Sequence, residues 1–289
     1  MREKMARLQL LGAMGIFGTI GIFRKFIPLS GAAIACVRGL MGVAFLLALM
    51  GFLGKKINWQ AMKQKLWLVC LSGTAIGVNW VLLFQAYNYS VPLATVGYYM
   101  APVFVILASP LVGERMTGKK LGCAAVAVAG MVPVAGVVGG IDVKGALPGV
   151  LLGLCAGVFY ASVMLMNRKM GEVGVYDRTV VQLAMAAVVV LPYVLLTGGF
   201  GFAGLDSTGW VLLVIVGIVH TGVAYALYFG AMGKLKAQSV AILSYLDPVL
   251  AIILSAVVLR ETLDIWQTVG AVLVLGSALV SELPERKRA

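Results

Sequence analysis

Charge is scarce in this sequence. Only 12% of its 289 residues are Asp, Glu, Lys or Arg, and 61% are hydrophobic, whereas a soluble domain carries about 25% charged residues. So much apolar surface cannot be hidden in one core, which excludes an ordinary water-soluble domain. Histidine occurs once, as His220. The four cysteines, Cys36, Cys70, Cys123 and Cys155, all fall inside apolar runs, and no pair has C-x-x-C spacing. They read as small buried hydrophobes, so neither a metal centre nor a redox pair is expected. G-x-S-x-G, H-E-x-x-H and nucleotide-binding P-loop motifs are all missing. No catalytic residues and no cofactor are expected, and an enzyme is the reading that fits least. The net charge of +12 does not imply nucleic acid. The basic residues sit in short clusters between apolar runs and form no continuous basic face.

What the chain does have is apolar length. A spanning helix needs about 20 mostly apolar residues, and ten segments qualify: 8–27, 32–53, 66–86, 93–112, 119–138, 146–166, 178–197, 210–232, 238–259 and 265–282. The first follows Arg2, Lys4 and Arg7 as a signal peptide would, but it lacks a small-x-small cleavage pattern and reads as a retained helix. The connections are short, so consecutive helices are expected to be antiparallel neighbours. Of the 23 Lys and Arg residues, 18 fall on the side of both termini and 4 on the other, with Arg38 inside the second segment. By the positive-inside rule both termini are cytoplasmic, in a multi-pass protein of the inner (cytoplasmic) membrane. Gly149, Gly153 and Gly157 in segment six, and Gly12, Gly15, Gly18 and Gly21 in segment one, predict close helix packing.

One pattern occurs twice. Tyr99-Met-Ala-Pro102-Val in the fourth segment matches Tyr245-Leu-Asp247-Pro248-Val in the ninth. Glu114 follows the first proline by twelve residues, and Glu261 the second by thirteen. Fourth of five and ninth of ten is the same place in two five-helix halves, residues 1–142 and 143–289. An odd number of helices per half inverts one half relative to the other. Inverted repeats with proline-broken helices at matching positions form the architecture of alternating-access transporters.

These features resemble the drug/metabolite transporter superfamily, EamA type. The resemblance rests on the two proline-to-glutamate helix ends, with Gly113-Glu114 and Arg260-Glu261. It also rests on Arg38 near the start of the second segment, Tyr225-Ala-Leu-Tyr-Phe-Gly-Ala231, and the acidic-proline step Asp247-Pro248. It implies an all-α integral membrane protein with ten transmembrane helices in two inverted five-helix repeats around a central cavity. Members move amino acids, sugars, amines, nucleosides or drugs, often outward.

Ionisable residues at bilayer depth cost roughly 2.5–3.5 kcal/mol on insertion scales, so each is expected to face the interior or to have a use. Asp247 lies near the midplane beside the Pro248 break and is the candidate coupling or cation site. His220 lies at similar depth on the eighth segment, where contact with Asp247 would let it assist. Arg38 is expected nearer the outer edge, as a gating, structural or carboxylate-binding group. Asn79, Trp80, Phe84, Tyr98, Tyr99, Tyr225 and Tyr245 are candidate cavity residues. Pro102, Pro248, Glu114 and Glu261 are candidates for gating or structural roles.

The expected activity is secondary active transport of small polar metabolites, foremost amino acids, by alternating access. Export is the expected direction, and Asp247 offers a means of proton coupling. Two alternatives stand: export of organic cations, quaternary amines or drugs, and a non-transporting scaffold or lipid-handling subunit. The expected partners are a small-molecule substrate and membrane lipids, with the chain a monomer or homodimer.

Overall fold

The computed structural model describes residues 2–108, 110, 117–134, 143–232, 234–235 and 243–283, and among these there are helices and no strands. The first half holds α1 (Arg2–Lys25), α2 (Gly31–Phe52), α3 (Trp59–Ala86), α4 (Val91–Tyr98), α5 (Ala101–Ala108) and α6 (Gly118–Val134). The second holds α7 (Val143–Arg168), α8 (Val175–Leu196), α9 (Ser207–Gly217), α10 (Ala224–Met232), α11 (Leu246–Leu254) and α12 (Ile265–Glu282). α4 and α5 make one broken crossing. α9 and α10 make another through a π-helical turn, Ile218–Val223, and α11 is extended by a second π-helical turn, Ser255–Leu259.

Grouped this way, the described residues form ten helical stretches. Seven are long and apolar enough to cross a membrane, and Gly118–Val134, Leu246–Leu259 and Ile265–Ser281 are shorter. Large apolar side chains cover the outside, with Phe52 at 88% and Leu196 at 86% exposure. This is the surface that lipid requires.

Local chemistry sets the ends. α3 starts at Trp59, seven residues before the apolar run predicts, because the Asn58 side chain accepts the Ala61 N–H at 3.2 Å and caps it. The fourth crossing breaks at Tyr99 and Met100, and the ninth resumes as α11 just after Tyr245. In both cases the following proline, Pro102 or Pro248, removes the N–H that would reach the carbonyl four residues back.

Consecutive helices such as α2 and α3, or α5 and α6, do touch, but the strongest packing is between helices that are not consecutive. α1 packs against α10 and α11, and α7 packs against α3, α4 and α5. The first helix of each half is thus wedged between the third and fourth crossings of the opposite half. α2 faces α8, and α6 faces α12, so the main contacts between the halves are matched when the halves are exchanged.

Glycine allows the wedging. A Cβ at Gly153 of α7 would stand 2.6 Å from the Ala94 carbonyl oxygen of α4, and one at Gly18 of α1 would stand 2.9 Å from the Asp247 carbonyl oxygen of α11. Gly130 of α6 and Gly270 of α12 approach each other in the same way. With no hydrophobic drive between helices in lipid, such close backbone contact is what holds them. Gly153→Val is therefore expected to cost ~1–3 kcal/mol or more through forced displacement of α4. Gly276→Ala, where nothing lies within 4 Å, should be neutral. Thermal unfolding of the purified protein in detergent measures both.

Candidate functional site

A cavity lies between the halves, where each wedged helix parts the third and fourth crossings of the other half. Its central lobe, about 170 Å³, is lined by Phe17, Arg38, Trp80, Phe84, Tyr87, Thr95, Tyr98, Tyr99, Ser244 and Asp247, among others. A larger lobe of about 310 Å³ reaches Asn79, Asn167, Arg178, Thr179 and Gln182. Trp80, Tyr98, Tyr160, Tyr225 and Tyr228 line both lobes.

The break in the fourth crossing turns Tyr98 and Tyr99 into this space. The Tyr99 hydroxyl donates to Asp247 Oδ2 at 2.5 Å, joining the two repeated motifs across the interface between halves. Tyr98 stacks on Tyr160 of α7, with ring centres 5.1 Å apart. Tyr225 stacks on Phe229 at 5.5 Å, on α10.

Arg38 is 3% exposed. Its Nε donates to Thr221 Oγ1 at 3.0 Å, and its guanidinium carbon lies 4.1 Å above the Trp80 ring and 5.3 Å from that of Phe84. Thr221 in turn donates to the Val216 carbonyl at 3.0 Å, a five-residue reach that belongs to the π-helical turn. Among the described residues no carboxylate pairs with Arg38, and no hydrogen bond engages its Nη groups. The outcome is a flat cation, clamped on one edge and stacked on one face, with its remaining edge toward the central lobe.

Asn79 lines the larger lobe, but its amide donates to the Ala156 carbonyl of α7 at 2.6 Å, so that group already serves packing. Toward the end where α1 begins, Arg178 donates to the Asn167 and Met170 carbonyls at 3.3 and 3.4 Å, closing the C-terminus of α7. Gln182 donates to Asn167 Oδ1 at 2.8 Å and also to Ser72.

Two placements differ from the sequence reading. His220 makes no contact with Asp247. Its ring is bonded to Thr19 Oγ1 at 2.8 Å and lies 4.7 Å from the Phe23 ring. Among the described residues the eighth and ninth crossings pack mainly on α1, which carries Thr19, and little on each other. Tyr245 does not line the central cavity. It lines an apolar groove of about 630 Å³ between α11 and α12, with its ring centre 6.4 Å from that of Tyr99.

Glu261 stands at the opposite end, where Lys25 ends α1 and Val91 begins α4. One carboxylate oxygen pairs with Lys25 Nζ at 2.7 Å, and the other accepts the Val91 N–H, the first residue of α4, at 2.7 Å. Arg24 joins this cluster by donating to Asn88 Oδ1 at 2.9 Å. The preceding residue, Arg260, has a left-handed backbone (φ 57°), which turns the chain out of the π-helical turn and aims Glu261 inward. Glu114, its counterpart in the first half, lies outside the described residues.

Sequence reasoning overlooks Thr95, Tyr160, Thr221 and Tyr228 as cavity or clamp residues. Thr221 is the easiest to miss, because its role depends on a π-helical turn that no sequence signal announces. Thr221→Val is expected to destabilise the protein by about 1–3 kcal/mol, since it leaves the buried Arg38 Nε–H without an acceptor. Thr221→Ser should retain most of the stability, and the difference is read from thermal unfolding in detergent.

The EamA-like transporter family matches residues 4–135 and again residues 147–282. An uncharacterised transporter of Bacillus subtilis, YxxF, is 28% identical over 289 residues, spanning 96% of this chain and 90% of its own. Protein RarD of Salmonella typhi is 26% identical over 207 residues, 68% of each chain. A protein solved by crystallography shares the fold with a TM-score of 0.66 over 95% of both chains, at 20% identity. Two successive family matches, laid over two halves that exchange their first helices around one cavity, place this chain in the EamA-like transporter family.

Proposed function

We propose that this transporter is a secondary exporter of amino acids or closely related zwitterions, working by alternating access. The observation that carries this reading is the placement of Arg38 and Asp247 in one small lobe. A guanidinium with a free edge matches a carboxylate bidentately, and a carboxylate within the same 170 Å³ matches an ammonium. The aromatic walls accept an apolar side chain, which extends into the larger lobe. A scaffold would gain nothing from a buried cation and a buried acid, each costly at this depth.

The two units that move are the halves 1–142 and 143–289, with both termini cytoplasmic in the inner membrane. Asp247 holds either the substrate ammonium or a proton, so protonation releases substrate and deprotonation captures it. That exclusivity makes the exchange an antiport of substrate against proton. The Lys25–Glu261–Val91 latch holds the outer end shut while the larger lobe faces the basic end.

A second reading, export of quaternary amines, is favoured by the many tyrosines, which attract cations through their ring faces. Arg38 in the same lobe opposes it by charge repulsion.

Uptake of radiolabelled amino acids into proteoliposomes under an imposed pH gradient tests the proposal. Binding should weaken as pH falls through the Asp247 titration, and Asp247→Asn should abolish the pH dependence and gradient-driven accumulation. Transport that stays equally pH-dependent in that variant would remove Asp247 from the mechanism. Glu261→Ala should free the outer end. In a background with the native cysteines replaced by alanine, a cysteine introduced at Ile20 should react several-fold faster with a membrane-impermeant maleimide added outside.

A further inference from the structure

Thr95 lies on α4 one turn from Tyr99 and lines the central lobe with Asp247 and Arg38. It is 2% exposed, and its hydroxyl has no hydrogen-bond partner. The Tyr87 hydroxyl stands within reach of it, but outside the distance and angle of a formed hydrogen bond. Helical threonines usually satisfy themselves on the carbonyl three or four residues back, as Thr19, Thr74, Thr179 and Thr197 do here. Thr95 does not. An unsatisfied buried hydroxyl costs about 1–3 kcal/mol, a cost that a ligand in the lobe would remove.

We infer that Thr95 is the specificity-determining acceptor for a primary ammonium group, sharing it with Asp247. The inference rests on the zwitterion reading above and narrows it. A primary ammonium carries three N–H donors and no acceptor. Asp247 Oδ2 already accepts from Tyr99, so the acid has less than its full capacity left for substrate. A second acceptor in the same lobe takes the donor that Asp247 cannot. A fully methylated nitrogen has no N–H, so it gains nothing from Thr95 and leaves the hydroxyl unsatisfied. The aromatic walls attract both kinds of cation through their ring faces, so they do not discriminate between them. Thr95 does, and it separates amino acids from their betaines in a cavity whose charges would admit either.

The probes are L-leucine and L-phenylalanine, each compared with its N,N,N-trimethyl betaine, with affinity measured on purified protein and KM in proteoliposomes. Wild type should prefer the primary amine. Thr95→Val, which keeps the shape and loses the hydroxyl, should raise KM for the amino acid about tenfold, the loss of one hydrogen bond to a charged group. The betaine KM and the kcat values should stay unchanged. Thr95→Ser should restore the preference, and Thr95→Ala substitutes if the valine variant does not fold. An unchanged preference in Thr95→Val or Thr95→Ala, alongside amino-acid binding that still needs Arg38 and Asp247, overturns the role of Thr95 alone. Wild type that binds neither the amino acids nor the betaines overturns the zwitterion reading and this inference together.

Discussion

The close approach of backbone to backbone at glycine is the constraint on which the rest depends. In lipid, two apolar helices gain nothing by hiding from solvent, so association rests on packing. Gly153 against Ala94 and Gly18 against Asp247 let the first helix of each half sit directly on the broken crossing of the other. Because each wedge occupies the place where the third and fourth crossings would otherwise meet, those crossings are held apart. The cavity is the space this leaves. Tyr98 and Tyr99 on one side and Asp247 on the other project into it from the two proline breaks.

The polar groups divide by depth in a way that follows the same plan. At one end, Glu261 joins α1 through Lys25 and α4 through the Val91 N–H, so a single carboxylate ties a wedge to a broken helix. A negative charge at the start of α4 also complements that helix's dipole. At the centre, Arg38 and Asp247 lie in one lobe without pairing with each other. Two opposite charges brought together in a low-dielectric interior would neutralise each other and leave nothing for a solute. Arg38 is instead held by Thr221 and by the Trp80 face, and Asp247 by Tyr99. Val91, Thr95 and Tyr99 follow one another at four-residue intervals, so the Glu261 contact, a buried hydroxyl and the acid's partner lie along one face of the fourth crossing.

Much of this was legible in the sequence. The apolar runs mark the crossings because lipid demands them, and the Tyr-Pro-Glu echo marks both breaks because proline removes a backbone donor wherever it falls. Asp247, Tyr98, Tyr99 and Tyr225 line the cavity, and their types and depths suggest as much. What was not legible is which helix lies beside which. Hydropathy carries no information on lateral order, so the separation of His220 from Asp247 by α1 could not be read. Nor could the outward position of Tyr245, which depends on where α12 sits. Thr221 and Thr95 were hidden for another reason. A threonine in an apolar helix usually bonds to its own backbone, and only the fold sets one against Arg38 and leaves the other without a formed hydrogen bond.

The exchange of first helices means that neither half completes its own packing, since the slot between its third and fourth crossings is filled by a helix of the other. The two halves also differ beside the cavity: the acid of Asp247 stands in one proline motif, and Ala101 at the matching place in the other.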